Sequence, residues 1–319
     1  MAKQLLALDY RPDLILATDM LDLATFLALT RKTSNGIPVA LYFHENQITY
    51  PWSPADGKAT GERNNQYGFI NYTSALAADR VFFNSHYHHA SFLGELKGFL
   101  SQFPDRQGLE NVEEIAAKSS VLPLGMDLQR FLPHREKRDD GPPLVLWNHR
   151  WEYDKDPAAF FGALIRLKED GLDFRLALLG EKFSKSPPVF GTAKKELAGC
   201  ILHDGYVEDF EDYARWLWRA DVLPVTSRQD FFGGSTVEAI FCDTYPILPK
   251  RLAYPEHLPA HLHEQHFYEN EEGFCEKLRQ ALQDSRRVRA FNGSMLVGKY
   301  DWGRLVAHYD QQMEATVRG

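Results

Sequence analysis

The sequence predicts an α/β protein of two domains, each built on a parallel sheet. Length is the first reason: 319 residues exceed what one typical core fills. The second is alternation, since short apolar runs exchange with stretches of helical spacing along most of the chain. The third is a restart of that alternation after the polar, proline-containing stretch PHREKRDDGPP, residues 133–143, which reads as an interdomain linker.

In the first half, DLILATD (13–19), VALYFH (39–44), RVFFNS (80–85) and SVLPLG (120–125) read as buried strands, with helices over 20–32 and 67–78. In the second half, LVLWNH (144–149), FRLALLG (174–180), CILHDGY (200–206), DVLPVTS (221–227) and YPILP (245–249) are the candidate strands. Helices are expected over 209–220 and 235–242, from 271 onward, and over 301–317. The expected domains are 1–132 and 143–300, followed by a terminal helix at 301–319. A Rossmann-like unit normally opens with a strand and a glycine-rich turn. Here MAKQLLALDYRP reads as the end of a helix, so the first domain is expected to lack its opening strand and glycine loop.

Bulk properties exclude several classes. No apolar run reaches the roughly 18–20 residues that span a bilayer, and the first residues show no apolar segment followed by a cleavage site. Cys200, Cys242 and Cys275 are scattered and form no CxxC pair, which argues against a disulfide framework or structural zinc and suits a reducing cytoplasm. The net charge of −8 offers no overall basic surface for nucleic acid. Arg286, Arg287 and Arg289 cluster, but read as a solvated helix end.

Three segments carry chemistry. RQDFFGGSTVE, residues 228–238, follows a strand and enters a helix. Gly233 and Gly234 permit close backbone approach, and the free amides of the helix start suit an anion. Asp230 and Glu238 stand at D-x7-E spacing, one in the loop and one inside the helix; a plain strand–turn–helix with packing glycines would also account for the pattern. WNHRWEYDKD, residues 147–156, lies past the first strand of the second domain, where ligands of open α/β sheets bind. Arg150 and Lys155 there would neutralise a leaving diphosphate, although a salt-bridge network with Glu152, Asp154 and Asp156 is the competing reading. YFHENQ, residues 42–47, gathers polar side chains around His44 at a strand end. His86, His88 and His89, and the group His257, His261, His263 and His266, read as structural rather than metal-binding; Cys242, Trp216 and Trp218 read as packing.

Together these segments resemble the family 4 retaining glycosyltransferases of GT-B fold, two Rossmann-like domains facing each other across a cleft that holds the active site. LYFHENQITYP, the Gln66–Tyr67–Gly68 run, VFFNS, LWNHRWEYDKDP, LLGEKF and DFFGGSTVEAIFCDTYPILPKRLAYPE resemble more narrowly the tRNA-queuosine α-mannosyltransferases. That resemblance implies transfer of mannose from GDP-mannose, with retention, to queuosine in the anticodon of an aspartate tRNA. It implies a cytoplasmic enzyme with no metal, no membrane and no obligate protein partner. Glu238 then matches the glutamate that binds the nucleotide ribose, and Asp230 stands where a glutamate near the donor sugar is expected, shorter by one methylene. Arg150 and Lys155 match the diphosphate pair, and His44 the histidine near the transferred sugar. Gly205, Tyr206 and Val207 match the backbone that reads the base. Gly125 and Asp127 match a Gly-x-Asp turn, and the backbone from Phe232 through Gly233 and Gly234 to Ser235 should meet the phosphates. The alternatives are another acceptor on the same fold, a non-catalytic nucleotide-sugar or tRNA-binding module, and a nucleotide-sugar epimerase.

Overall fold

Each apolar run picked out above is a strand flanked by helices, and the strands form two separate parallel sheets. The computed structural model describes residues 1–51, 60–181 and 189–319, and the side chains of all of these except 60–64. Lys182 and Phe183, the end of the LLGEKF run, lie outside the described residues. The chain divides into one unit of Met1–Leu124 with Arg304–Gly319 and a second of Gly125–Gly303.

Among the described residues, the first unit holds a four-stranded sheet of β1 (Ile15–Thr18), β2 (Val39–Phe43), β3 (Arg80–Phe83) and β4 (Ser119–Val121), in that order and all parallel. Every residue of β2 is buried, as expected of a central parallel strand covered on both faces. β4 stops short of the run read for it, because Pro123 has no N–H to continue the ladder. Asp22 caps the helix Leu23–Ser34 by accepting from the Thr25 amide at 2.9 Å, and Ser85 caps His86–Leu100 through the His88 amide at 3.0 Å. Phe43, Phe83 and Phe92 form the aromatic centre of the core, with ring centroids 5.0–5.3 Å apart. The chain begins with a helix, Ala2–Leu6, and β1 is the first strand after it. Most of the terminal helix Trp302–Arg318 belongs to this unit, where the Tyr309 hydroxyl donates to the Pro123 carbonyl at 2.8 Å.

The second unit is a six-stranded parallel sheet among the described residues: β5 (Leu144–Trp147), β6 (Arg175–Leu178), β7 (Ile201–Asp204), β8 (Val222–Pro224), β9 (Tyr245–Pro249) and β10 (Phe267–Tyr268), in the order β10-β9-β8-β5-β6-β7. The chain starts in the middle with β5, builds outward through β6 and β7, then returns to the other side of β5 with β8. That reversal makes a topological switch point between β5 and β8, where loops diverge and leave a crevice beyond the strand ends. β10 has only two residues, too few for any sequence period, and pairs through Phe267 opposite Leu248.

The charged stretch 133–143 is bound into this second unit. Arg135 pairs with Asp243 at 3.0 Å, and Arg138 donates to the Ala220 carbonyl at 2.9 Å. Arg289, expected at a solvated helix end, instead donates to Asp221 at 2.9 Å and to the Gly141 carbonyl at 2.7 Å.

Candidate functional site

The two segments richest in candidate residues leave neighbouring strands of the second unit at its switch point. Trp147–His149 runs off the end of β5, and the chain beyond β8 leads to Asp230. Hydrogen bonds join them. The Thr226 hydroxyl donates to the Lys155 carbonyl at 2.7 Å, the Arg228 amide to the Asp154 carbonyl at 2.7 Å, and the Arg228 guanidinium to Asp156 at 2.8 Å.

Lys155 is the electrostatic centre of this junction. Its ammonium has three hydrogens, and three acceptors lie within reach: the Gln229 carbonyl at 3.0 Å, Asp230 at 3.1 Å and Asp154 at 3.2 Å. Burial works against the charged ammonium, but Asp230 and then Asp154 outweigh it and hold Lys155 above its ordinary value. Burial likewise works against the Asp230 carboxylate, yet Lys155, the Tyr254 hydroxyl and His149 hold it below the ordinary range. Tyr254 donates to the same Asp230 oxygen that meets Lys155. A diphosphate would therefore have to displace one of these acceptors to reach Lys155. Arg150 is differently placed: half-exposed, it pairs only weakly with Glu152, at 3.2 Å. Lys155 thus sits in a salt-bridge network with Asp154 and Asp230, while Arg150 stays half-exposed beside Glu152.

Gly233 begins the helix Gly234–Phe241 with φ +84°, and no side chain caps that helix. A side chain at Gly233 would also press on the Tyr254 ring, at 3.0 Å. The loop before it is clamped by His257, whose ring contacts the Phe232 carbonyl at 2.7 Å and the Tyr300 hydroxyl at 3.2 Å. His257 is thus structural, and burial holds its pKa down at about 4. His149 meets the Ser235 hydroxyl at 3.0 Å, and burial together with the Lys155 charge also lowers it to about 4, so it is neutral at ordinary pH. Asn148 donates to the Ser235 carbonyl at 2.8 Å. Buried polar atoms are rarely left without partners. Here the amide oxygen of Asn148, Nε2 of His149, the amide nitrogen of Gln229 and the hydroxyl of Thr236 all lack one among the described residues.

Glu238 lies one turn inside that helix. The Tyr213 hydroxyl donates to its Oε2 at 2.9 Å, while Arg130 stands 3.7 Å from Oε1. Burial pushes the Glu238 carboxyl up, against the Tyr213 hydrogen bond and the Arg130 charge. Arg130 rests on the Phe210 ring, 4.1 Å from its centroid. Gly205, Tyr206 and Val207 follow β7, where the His203 ring contacts the Gly205 carbonyl at 2.9 Å and Tyr206 is exposed. Gly125 serves packing: a Cβ there would come within 1.7 Å of the Trp302 ring. Asp127 is exposed.

In the first unit, His44 follows β2. Its amide donates to buried Asp19 at 2.8 Å, its ring nitrogen Nδ1 lies 3.5 Å from the same oxygen, and its carbonyl accepts from Asn84 at 2.9 Å. The backbone is thereby fixed while the side chain stays about half exposed. Among the described residues no three His, Cys, Asp or Glu side chains are grouped to hold a metal, and no helix is long and apolar enough to cross a membrane.

Sequence reasoning missed Tyr213, Tyr254, Asn148, His149 and Arg130 as members of this site. Tyr213 carried a usable signal: it shares the apolar face of the helix Phe210–Arg219 with Ala214 and Leu217, and a buried hydroxyl requires a partner.

Residues 1–126 match the family model described as tRNA-queuosine alpha-mannosyltransferase N-terminal. Over 264 residues the chain is 34% identical to the tRNA-queuosine alpha-mannosyltransferase of Drosophila melanogaster, covering 80% of this chain and 68% of that protein. Among solved structures, the sucrose-phosphate synthase of Thermosynechococcus elongatus aligns with a TM-score of 0.69 at 15% identity, over 95% of this chain and 73% of that one. The E. coli trehalose-6-phosphate structure bound with UDP-2-fluoro glucose aligns with a TM-score of 0.67 at 13% identity, over 98% and 75%. These structural likenesses show the fold, which is that of the GT-B glycosyltransferases.

Proposed function

The chain belongs to the tRNA-queuosine alpha-mannosyltransferases, and from that premise we propose that it moves mannose from GDP-mannose to queuosine in the anticodon of an aspartate tRNA, with retention at the anomeric carbon. The observation that carries the reading is the arrangement at the second unit's switch point. An uncapped helix start with a left-handed glycine, an available Arg150 and an inward-facing carboxylate at Glu238 suit, in turn, a diphosphate, its developing charge and a ribose.

The reaction is a front-side displacement. The bond between the anomeric carbon and the diphosphate oxygen breaks, a queuosine hydroxyl forms the new bond on the same face, and its proton passes to the leaving phosphate. Arg150 and the amides at Phe232–Ser235 neutralise the leaving group, and Asp230 accepts from a sugar hydroxyl through the oxygen that Tyr254 and Lys155 leave free. Lys155 reaches the diphosphate only by exchanging an acceptor. The same reading assigns base contact to Gly205–Val207 and a hydrogen bond to a sugar hydroxyl to His44. Charge is stabilised by these protein groups without a metal, and the enzyme works in the cytoplasm. The donor is tested by offering radiolabelled GDP-mannose and UDP-glucose separately with total tRNA. Label entering tRNA from GDP-mannose alone supports the assignment; label from UDP-glucose, or from neither, overturns it.

A further inference from the structure

We infer that Tyr213 is a positioning residue for the donor nucleotide, holding the Glu238 carboxylate so that one oxygen, Oε1, is presented to a ribose hydroxyl. The inference rests on reading this site as a nucleotide-sugar site and assigns a role to a residue outside the motif segments.

Glu238 has two carboxylate oxygens in different surroundings. Oε2 accepts the Tyr213 hydroxyl at 2.9 Å, whereas the nearest cation to Oε1 is the half-exposed Arg130, at 3.7 Å and beyond hydrogen-bond range. One oxygen is fixed and the other is open. Tyr213 is itself fixed: it sits on the helix Phe210–Arg219, and the Asn148 amide nitrogen approaches its oxygen at 3.4 Å while donating to the Ser235 carbonyl at 2.8 Å. Asn148 therefore links the start of the helix Gly234–Phe241, the expected diphosphate seat, to the residue that orients the carboxylate inside that helix. Burial keeps the Tyr213 proton on well above pH 10, so Tyr213 donates throughout the working range. A carboxylate with one oxygen locked has less rotational freedom to lose when a ribose hydroxyl binds the other.

Replacing the hydroxyl separates this role from packing, since Tyr213→Phe keeps the ring. Because the Tyr213–Glu238 bond already exists without ligand, what the variant loses is the pre-ordering of one side chain, and its Kd for GDP should rise about three- to tenfold. With 2′,3′-dideoxy-GDP, which has no ribose hydroxyl to meet Glu238, wild type and Tyr213→Phe should bind within about twofold of each other. In a Glu238→Gln background, Tyr213→Phe should add little to the loss for GDP. If GDP and its dideoxy analogue lose affinity equally in Tyr213→Phe, the hydroxyl serves structure and the positioning role is refuted. If wild type does not bind GDP at all, the GDP-sugar reading of the site fails first, and the two failures are distinct.

Discussion

Lys155→Met removes an ammonium that faces two carboxylates in a buried setting. The lysine side chain is 10% exposed, and its partners Asp154 and Asp230 are 2% and 19% exposed. Breaking such a cluster from one side strands charge, which costs about 3–5 kcal/mol. That is a large part of the roughly 5–15 kcal/mol that holds most domains together. Asp154 is buried, so most of the penalty should persist. With a urea dependence near the upper end for small proteins, about 3 kcal/mol per molar, the midpoint should fall by about 1–1.7 M. The assay is equilibrium urea unfolding at neutral pH, followed by tryptophan fluorescence; Trp147 and Trp151 lie in the same unit. Adding Asp230→Asn to Lys155→Met removes one stranded charge. It should cost less there than in wild type, by about 1–3 kcal/mol of coupling. A midpoint within about 0.3 M of wild type, with the two substitutions simply additive, would refute the buried-cluster account of Lys155.

Other outcomes follow from neighbouring contacts. Arg150→Ala should lower mannose transfer by about 100-fold or more with the unfolding midpoint unchanged, because its guanidinium acts on departing charge and is tied only loosely to the fold; normal turnover would remove it from the site. His149, His257 and His266 are buried with pKa values of about 4, against 6.5 unfolded. Since the folded state takes protons less readily, their contribution is full above the unfolded value and is lost as pH falls toward 4. Each loses about 2 kcal/mol by about pH 5, so Tm should drop steeply between neutrality and that pH, and a flat profile would contradict their burial as neutral rings. Gly125→Ala should destabilise by about 1–3 kcal/mol by forcing the Trp302 ring to move, and Trp302→Leu should relieve it; an undiminished penalty in the double variant would show that the ring is not the obstacle.

The sequence displayed what depends on local pattern. Val39–Phe43 and Tyr245–Pro249 were legible as buried strands because continuous apolar runs mark central parallel strands, and the helix start at Gly234 was legible from its glycines. Partnerships across the chain were not. PHREKRDDGPP looks like a linker by composition, yet Arg135 and Arg138 find acceptors far along the chain, at Asp243 and Ala220. Lys155 is a plausible phosphate ligand by position, but its enclosure by Gln229, Asp230 and Asp154 depends on β8 lying beside β5. Tyr254 closes a run that carries the family resemblance and His257 read as structural, but their contacts with Asp230 and Phe232 exist only once their loop folds over the switch point.

The most direct test of the whole account is transfer of labelled mannose from GDP-mannose to tRNA, comparing queuosine-containing and queuosine-lacking tRNA side by side. The account predicts label on the queuosine-containing tRNA and none on the other. Equal labelling of both, or label on neither while GDP-mannose still binds, would contradict it.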